Sequence, residues 1–255
     1  MNTPHRTATR VRHELKFRQL SVVRTQQLTP HMVRITLGGP DLAGFTSPGF
    51  DEHIKIFFPD PTTGELVLPG GAEDGPRPTM RDYTPLNYDA VHNTLQMEFA
   101  EHGTGPAVEW ARTAPIGQWL GLAGPRGSLL VPADLDWHVL LGDESAMPAI
   151  ERRLAELPAG SRAIVRVQIS NPADQRAWAS AAALDLQWVT SLADAADVLE
   201  LPAGDGFIWA SGENRAMADL RQRILAKPGA NPKRMRIASY WKQGEAAHHE
   251  ELNAN

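Results

Sequence analysis

A chain of 255 residues, 42% apolar and 22% charged, has room for one large domain or two modest ones at about 150 residues each, and it is too apolar to be disordered or fibrous. Its 25 Lys and Arg against 30 Asp and Glu leave a formal charge of −5, so binding nucleic acid or an acidic membrane would require a concentrated local patch. Cysteine is absent, which excludes disulfides, protein-held iron–sulfur clusters, Cys-ligated zinc and thiolate nucleophiles together. Residues Met1 to Phe17 carry Arg6, Arg10, Arg12 and Lys16 without an apolar run, so they do not read as a signal peptide. No stretch of about 18 uninterrupted apolar residues reads as a transmembrane helix. The expected location is the cytoplasm, with no nucleic-acid or integral-membrane partner; the oligomeric state is not legible.

From Phe17 to about Pro132 short segments alternate with period two. Leu20 to Arg24 and Met32 to Leu37 are separated by the turn signal Thr29-Pro30, and His53 to Phe58, Leu95 to Phe99 and Trp119 to Leu122 continue the series between Gly and Pro clusters. This predicts an antiparallel barrel or sandwich, interrupted by one helix at Pro106 to Thr113 and by a long Gly- and Pro-rich loop from Pro69 to Pro78. After Pro132 strands and helices alternate, which predicts a parallel α/β sheet. Trp137 to Leu141, Ala163 to Ile169, Leu186 to Val189, Phe207 to Ala210 and Met235 to Tyr240 read as its strands. Met147, Ile150, Leu154 and Leu157 mark one helix face; Met217, Leu220 and Ile224 mark another. The expected domains are therefore 1–132 and 133–255.

Four segments carry chemistry-bearing residues. In Arg81-Asp82-Tyr83-Thr84, a strand would place Arg81 and Tyr83 on one face, with Thr84 at a turn set by Pro85. A guanidinium, an aromatic ring and a hydroxyl together suit a flavin, as phosphate clamp, stacking surface and hydrogen-bond partner. The same residues also read as an ordinary strand with a surface Arg. Second, His102-Gly103-Thr104-Gly105-Pro106-Ala107 opens a helix with Pro at its expected first position, leaving backbone N–H groups for an anion such as a pyrophosphate, or simply starting a helix. His102 by itself reads as a loop histidine. Third, Gly142 to Ile150, with Glu144 and Ser145, follows a strand where a doubly wound sheet meets a dinucleotide. Here Asp143 or Ser145 also reads as a helix cap. The GxGxxG and GxxxxGK[ST] fingerprints are absent. Fourth, Gly212 and Glu213 end a strand where space for a nicotinamide is needed, and Tyr240-Trp241 read as a wall of that cleft or as packing. The run His248-His249-Glu250-Glu251 lacks HExxH spacing, so no metal site is expected.

In order and spacing from about Leu20 to Gly244, these segments, with Leu28 to Gly39 and Gly124 to Ser128, resemble the siderophore-interacting proteins, a branch of the ferredoxin-reductase-like flavoproteins. The resemblance implies an FAD-binding β-barrel over 1–132 and an NAD(P)H-binding α/β domain over 133–255. It also implies reduction of ferric siderophores by NADPH or NADH. Arg81 would pair with the FAD phosphates, Tyr83 would stack on the isoalloxazine and Thr84 would approach its N5. Gly105, Pro106 and Ala107 would hold the pyrophosphate. Glu144, Ser145, Gly212 and Glu213 would line the nicotinamide cleft, with His102, Tyr240 and Trp241 also among the cofactor residues. Lys55, Arg126 and Lys242 match positions where basic residues attract the ferric complex. Leu86 stands where the family often has Arg. At the second parallel strand end, Ser170-Asn171 replace the usual ribose-binding acid and Arg176 follows, a pattern that leans to NADPH. Two alternatives share much of this pattern: a general flavin reductase or electron donor, and a non-enzymatic siderophore-binding protein.

Overall fold

The computed structural model describes residues 6–69, 78–101, 105–244 and 250–251. The chain divides into two compact units. One runs Arg10–Leu129, and the other comprises the chain from Leu130 onward together with residues 6–9.

In the first unit the strands are β1 (Thr9–Arg12), β2 (Phe17–Thr29), β3 (Met32–Gly38), β4 (Ile54–Phe58), β5 (Thr79–Tyr83), β6 (Leu86–Asp89) and β7 (Thr94–Ala100), then, after helix α1 (Pro106–Thr113), β8 (Trp119–Ala123) and β9 (Gly127–Leu130). Seven of them form an antiparallel sheet in the order β5-β4-β8-β2-β3-β7-β6, curled as a half-barrel. The period-two pattern explains the curl. Leu20, Val22, Ile35, Leu37, Ile54, Ile56, Leu95, Met97, Leu120 and Leu122 all turn to one face and form a single buried cluster. Helix α1 closes part of that face with Ala107, Trp110 and Ala111, spaced to share one helical side. Leu86 is buried at 4% exposure.

The second unit contains β10 (Trp137–Gly142), α2 (Met147–Glu156), β11 (Arg162–Gln168), β12 (Ala183–Val189), α3 (Leu192–Val198), β13 (Gly206–Glu213), α4 (Asn214–Leu225), β14 (Met235–Trp241) and the two-residue β15 (Glu250–Glu251). The order β12-β11-β10-β13-β14 is parallel throughout, with β15 antiparallel at the edge. Strand β10 is buried at all six positions, as expected of a central strand covered on both faces. Helices α3 and α4 pack Leu192, Ala196, Met217, Leu220 and Ile224 on Val139, Leu141, Ile208 and Ala210. Right-handed crossovers leaving β10 and β13 in opposite directions put α2 on the other face. The sequence reading omits α3; its seven residues show too little periodicity, and Ser191, which caps it by accepting from Asp194 N, is the clearest local sign. Arg6 reaches this unit as well: its guanidinium donates to the Asp134 carbonyl and lies 3.6 Å from both Asp136 and Asp205.

His138, only 1% exposed on β10, is held by burial and by the Arg153 charge at a pKa pushed down to about 4, against the weaker opposing pull of the Ala133 carbonyl. The unfolded imidazole titrates near 6.5, so the unfolded chain takes up the proton first as pH falls. Stability is therefore complete above about pH 6.5 and is lost on descending toward 4, by on the order of 3 kcal/mol. Urea unfolding followed at pH 7, 6, 5 and 4 is expected to show that slope, and His138→Gln is expected to flatten it.

Candidate functional site

Two constellations stand out, one in each unit. In the first, β5 is an edge strand of the half-barrel. Its register on β4 pairs Tyr83 with Ile54, Asp82 with Lys55 and Arg81 with Ile56. Directly opposed residues share a face, so Arg81 and Tyr83 project on the side of buried Ile54 and Ile56 while Asp82 and Lys55 project on the other. Tyr83 is half-buried, its ring 4.2 Å from Phe99 and 6.3 Å from Phe58 between centroids. Withdrawal from water pushes its phenol pKa up, with the Arg81 charge pulling the other way. Phe58 and Phe99 in turn lie 5.2 and 5.6 Å from Trp110 of α1, whose indole donates to Gln118 Oε1 at 2.6 Å. One aromatic cluster thus fixes the helix to the strand that carries Arg81 and Tyr83. Among the described residues, Arg81 makes one hydrogen bond, from Nη1 to the Met80 carbonyl at 2.7 Å. Thr84 follows at 7% exposure.

Helix α1 begins at Gly105 with no side-chain cap and with Pro106 in its first turn, and a Cβ on Gly105 would meet nothing within 4 Å. Among the described residues, no side chain caps the first backbone N–H groups of this helix, whose positive dipole end lies behind them. A half-buried guanidinium, an aromatic ring and an open helix start fit a flavin dinucleotide, whose diphosphate and tricyclic ring need these groups. His102 lies outside the described residues, as do the Pro69 to Pro78 loop from Gly70 to Arg77 and His248-His249. Lys55 pairs with Asp82 at 2.9 Å and sits opposite Ala123 across β8, at the end of the sheet from which the loop carrying exposed Arg126 emerges.

In the second unit, the strand order reverses direction between β10 and β13, and the crevice beyond their C-terminal ends is where doubly wound sheets bind ligands. Glu144 and Ser145 follow β10, Gly212 and Glu213 end β13, and Tyr240 and Trp241 end β14, so the structure brings these six to one rim. Their partners differ from the simple expectation. Asp143 is the hub: Oδ1 accepts from Ser145 N at 2.9 Å and from the Ser145 hydroxyl, and Oδ2 accepts from Glu213 N at 3.0 Å and Trp241 Nε1 at 2.8 Å. Burial pushes its carboxyl pKa up, opposed by the hydrogen bonds from Ser145 and Trp241. Glu144 Oε1 accepts from Ser170 N at 2.7 Å and so ties the β10 end to the β11 end. Glu213 Oε2 caps α4 through Arg215 N at 2.7 Å and Ala216 N at 3.0 Å. A Cβ on Gly212 would stand 2.6 Å from Asp143 Oδ2 at a φ of 159°, so here the glycine makes room for a carboxylate of this chain. Asn171 caps a short turn by accepting from Ala173 N, and Arg176 is held 3.4 Å from Glu151 with its guanidinium over the Trp178 ring.

The sequence reading treats Asp143 only as a cap and overlooks its reach to Glu213 and Trp241. The available signal is a carboxylate directly after a fully buried strand, apolar but for His138, with Ser two residues on. Phe58, Phe99 and Trp110 are likewise overlooked as supports for Tyr83, because cross-strand contacts leave no trace in local spacing. Among the described residues, no group of three or more His, Asp or Glu is placed to hold a metal ion, and no helix is long and apolar enough to cross a membrane.

An antiparallel half-barrel followed by a five-stranded parallel sheet in this order is the architecture of ferredoxin-reductase-like flavoproteins. Residues 21–129 match the siderophore-interacting FAD-binding domain and residues 135–244 match the siderophore-interacting protein domain. The NADPH-dependent ferric-chelate reductase of Escherichia coli is 40% identical, covering 94% of this chain and 99% of its own. The ferric vibriobactin reductase of Vibrio cholerae is 34% identical over 92% of this chain and 93% of its own. A siderophore utilization protein from T. fusca superposes with a TM-score of 0.87 at 34% identity, covering 94% of this chain and 98% of that one. The chain belongs to the siderophore-interacting protein family.

Proposed function

We propose that this protein is an FAD-dependent, NADPH-driven reductase that converts the Fe(III) of a ferric siderophore to Fe(II) in the cytoplasm, where the nicotinamide reductant is supplied. The observation that carries the reading is the open start of α1 tied through Trp110, Phe58 and Phe99 to the strand bearing Arg81 and Tyr83. FAD, when bound, bridges a two-electron hydride donor and a one-electron ferric acceptor.

In this reading, Arg81 neutralises phosphate charge, Tyr83 presents its ring to the flavin and Thr84 its hydroxyl. The N–H groups after Gly105 and Pro106, with Ala107 packed beneath, take the diphosphate; His102 is assigned to the same cofactor. Glu144, Ser145, Gly212, Glu213, Tyr240 and Trp241 shape the rim that receives the nicotinamide. Absence of an acid at Ser170-Asn171 removes the repulsion that a ribose 2′-phosphate would meet, which favours NADPH over NADH. The domain division at about residue 132 assigns FAD to the first unit and NADPH to the second. The iron arrives in its chelator, so no protein ligand set is needed, and once reduced it is held weakly by hard oxygen donors and released.

Siderophore complexes are frequently anionic, and Lys55, Arg126 and Lys242 are assigned to attract them, Lys55 at reduced strength because Asp82 already faces it. Lys242→Ala is expected to raise KM for an anionic chelate about threefold to tenfold while leaving FAD content unchanged; steady-state kinetics at two ionic strengths checks it, since added salt screens the lost attraction. The reading as a whole is tested by mixing protein, FAD, NADPH, a ferric siderophore and a ferrous trap. Trapped Fe(II) is expected. NADPH oxidation without Fe(II) for any chelate offered would make the protein a general flavin reductase, and a colourless protein that takes up no FAD would make it a binding protein.

A further inference from the structure

Two of the turns that face the rim of the second unit are capped by a carboxylate of this protein. Asp143 caps the turn leading into α2, and Glu213 caps α4. Both carboxylates place negative charge where a doubly wound sheet ordinarily receives a pyrophosphate. At these two caps the nucleotide meets a carboxylate and not a free helix start, so recognition there has to come from other groups. The most developed of these is an aromatic face. Trp241 is 42% exposed, yet its indole N–H is anchored at 2.8 Å by a carboxylate that is itself only 7% exposed. An exposed indole gains little stability from such an anchor, because water would satisfy the N–H equally well. What the anchor provides is a fixed ring direction. The site is built for it: Gly212 lacks the Cβ that would displace the Asp143 carboxylate, and the Glu213 N–H holds the same Oδ2 in place.

From this the geometry points to Asp143 as a positioning residue that holds the Trp241 indole as a rigid stacking wall for the nicotinamide ring of the reductant. The inference rests on the proposed NADPH site and adds to it the residue that orients the wall. Asp143 touches neither the substrate nor the flavin in this role; it acts through the indole. Its other contacts, to Ser145 and Glu213, give it a structural share in the rim, so the test has to separate orientation of Trp241 from general support.

The test uses full-length protein loaded with FAD and titrated with NADP+, which binds without turnover, in calorimetry. Asp143→Asn and Trp241→Phe are each expected to raise the NADP+ dissociation constant about tenfold, and the double variant is expected to be no worse than the weaker-binding single one, because both remove the same oriented ring. In 15N-labelled protein the indole N–H resonance that disappears in Trp241→Phe is expected to exchange slowly with solvent in wild type and rapidly in Asp143→Asn. Rapid exchange of that resonance in wild type would overturn the anchoring. Unchanged NADP+ affinity in Trp241→Phe, or additive losses in the double variant, would overturn the stacking role. Should Asp143→Asn fail to fold, the exchange rate in wild type and the affinity of Trp241→Phe still decide the matter. Wild-type protein that neither binds NADP+ nor oxidises NADPH would instead remove the underlying NADPH assignment.

Discussion

Replacing Tyr83 with alanine is expected to strip the protein of its yellow colour. The ring is half-buried against Phe99 and Phe58, so truncation removes a stacking surface and loosens the cluster that also seats α1. Loss of an aromatic contact of about 1.5 to 3 kcal/mol corresponds to roughly a tenfold to hundredfold rise in the FAD dissociation constant. The ratio of flavin to protein absorbance after gel filtration reads the loss, and titration with added FAD reads its size. Tyr83→Phe keeps the ring and is expected to retain most of the flavin. A folded Tyr83→Ala protein with full FAD occupancy would remove Tyr83 from the flavin site.

Gly142→Ala is expected to cripple the second unit instead. A Cβ at this position would stand 2.3 Å from Ala146 Cβ and 2.6 Å from the Ser211 carbonyl oxygen, and neither neighbour is the end of a flexible chain. The turn carrying Asp143, Glu144 and Ser145 would be pushed off β13, breaking the hydrogen bond from Glu213 N to Asp143. Overpacking of this kind costs about 3 kcal/mol. NADPH oxidation is expected to fall at least tenfold while FAD content, which depends on residues of the other unit, stays near wild type. A variant with normal melting and normal NADPH kinetics would contradict the close packing between β10 and β13.

The two-part architecture was legible because each part has its own period: alternation in Met32 to Leu37 for a half-covered sheet, and the Trp137 to Gly142 run, apolar but for His138, for a strand covered twice. Helix α1 was legible to its ends because Gly105-Pro106 marks its start. The order of segments likewise led to six residues that meet at one rim. What they do there was not legible. Glu144, Ser145 and Glu213 read as ligands by position, yet their side chains are engaged with Ser170, Asp143 and α4. Glu144 to Ser170 spans 26 positions and Asp143 to Trp241 spans 98, and no local spacing encodes either, whereas Ser145 to Asp143 and Glu213 to α4 are local caps. Arg176, which follows Ser170-Asn171 in the pattern that leans to NADPH, is engaged by Glu151 and Trp178.

The placement of residues 6–9 makes the second unit discontinuous, since Arg6 is tethered to Asp134, Asp136 and Asp205, more than a hundred residues downstream. On the ribosome, domains generally assemble from the amino end as they emerge. The intervening barrel can therefore finish folding while the leading strip of chain waits for its partner to be synthesised. An affinity tag or trimmed start placed before Arg10 will accordingly register as a small thermal penalty in the second unit, on the order of 1 kcal/mol for a partly exposed ion pair, while the first unit melts as before.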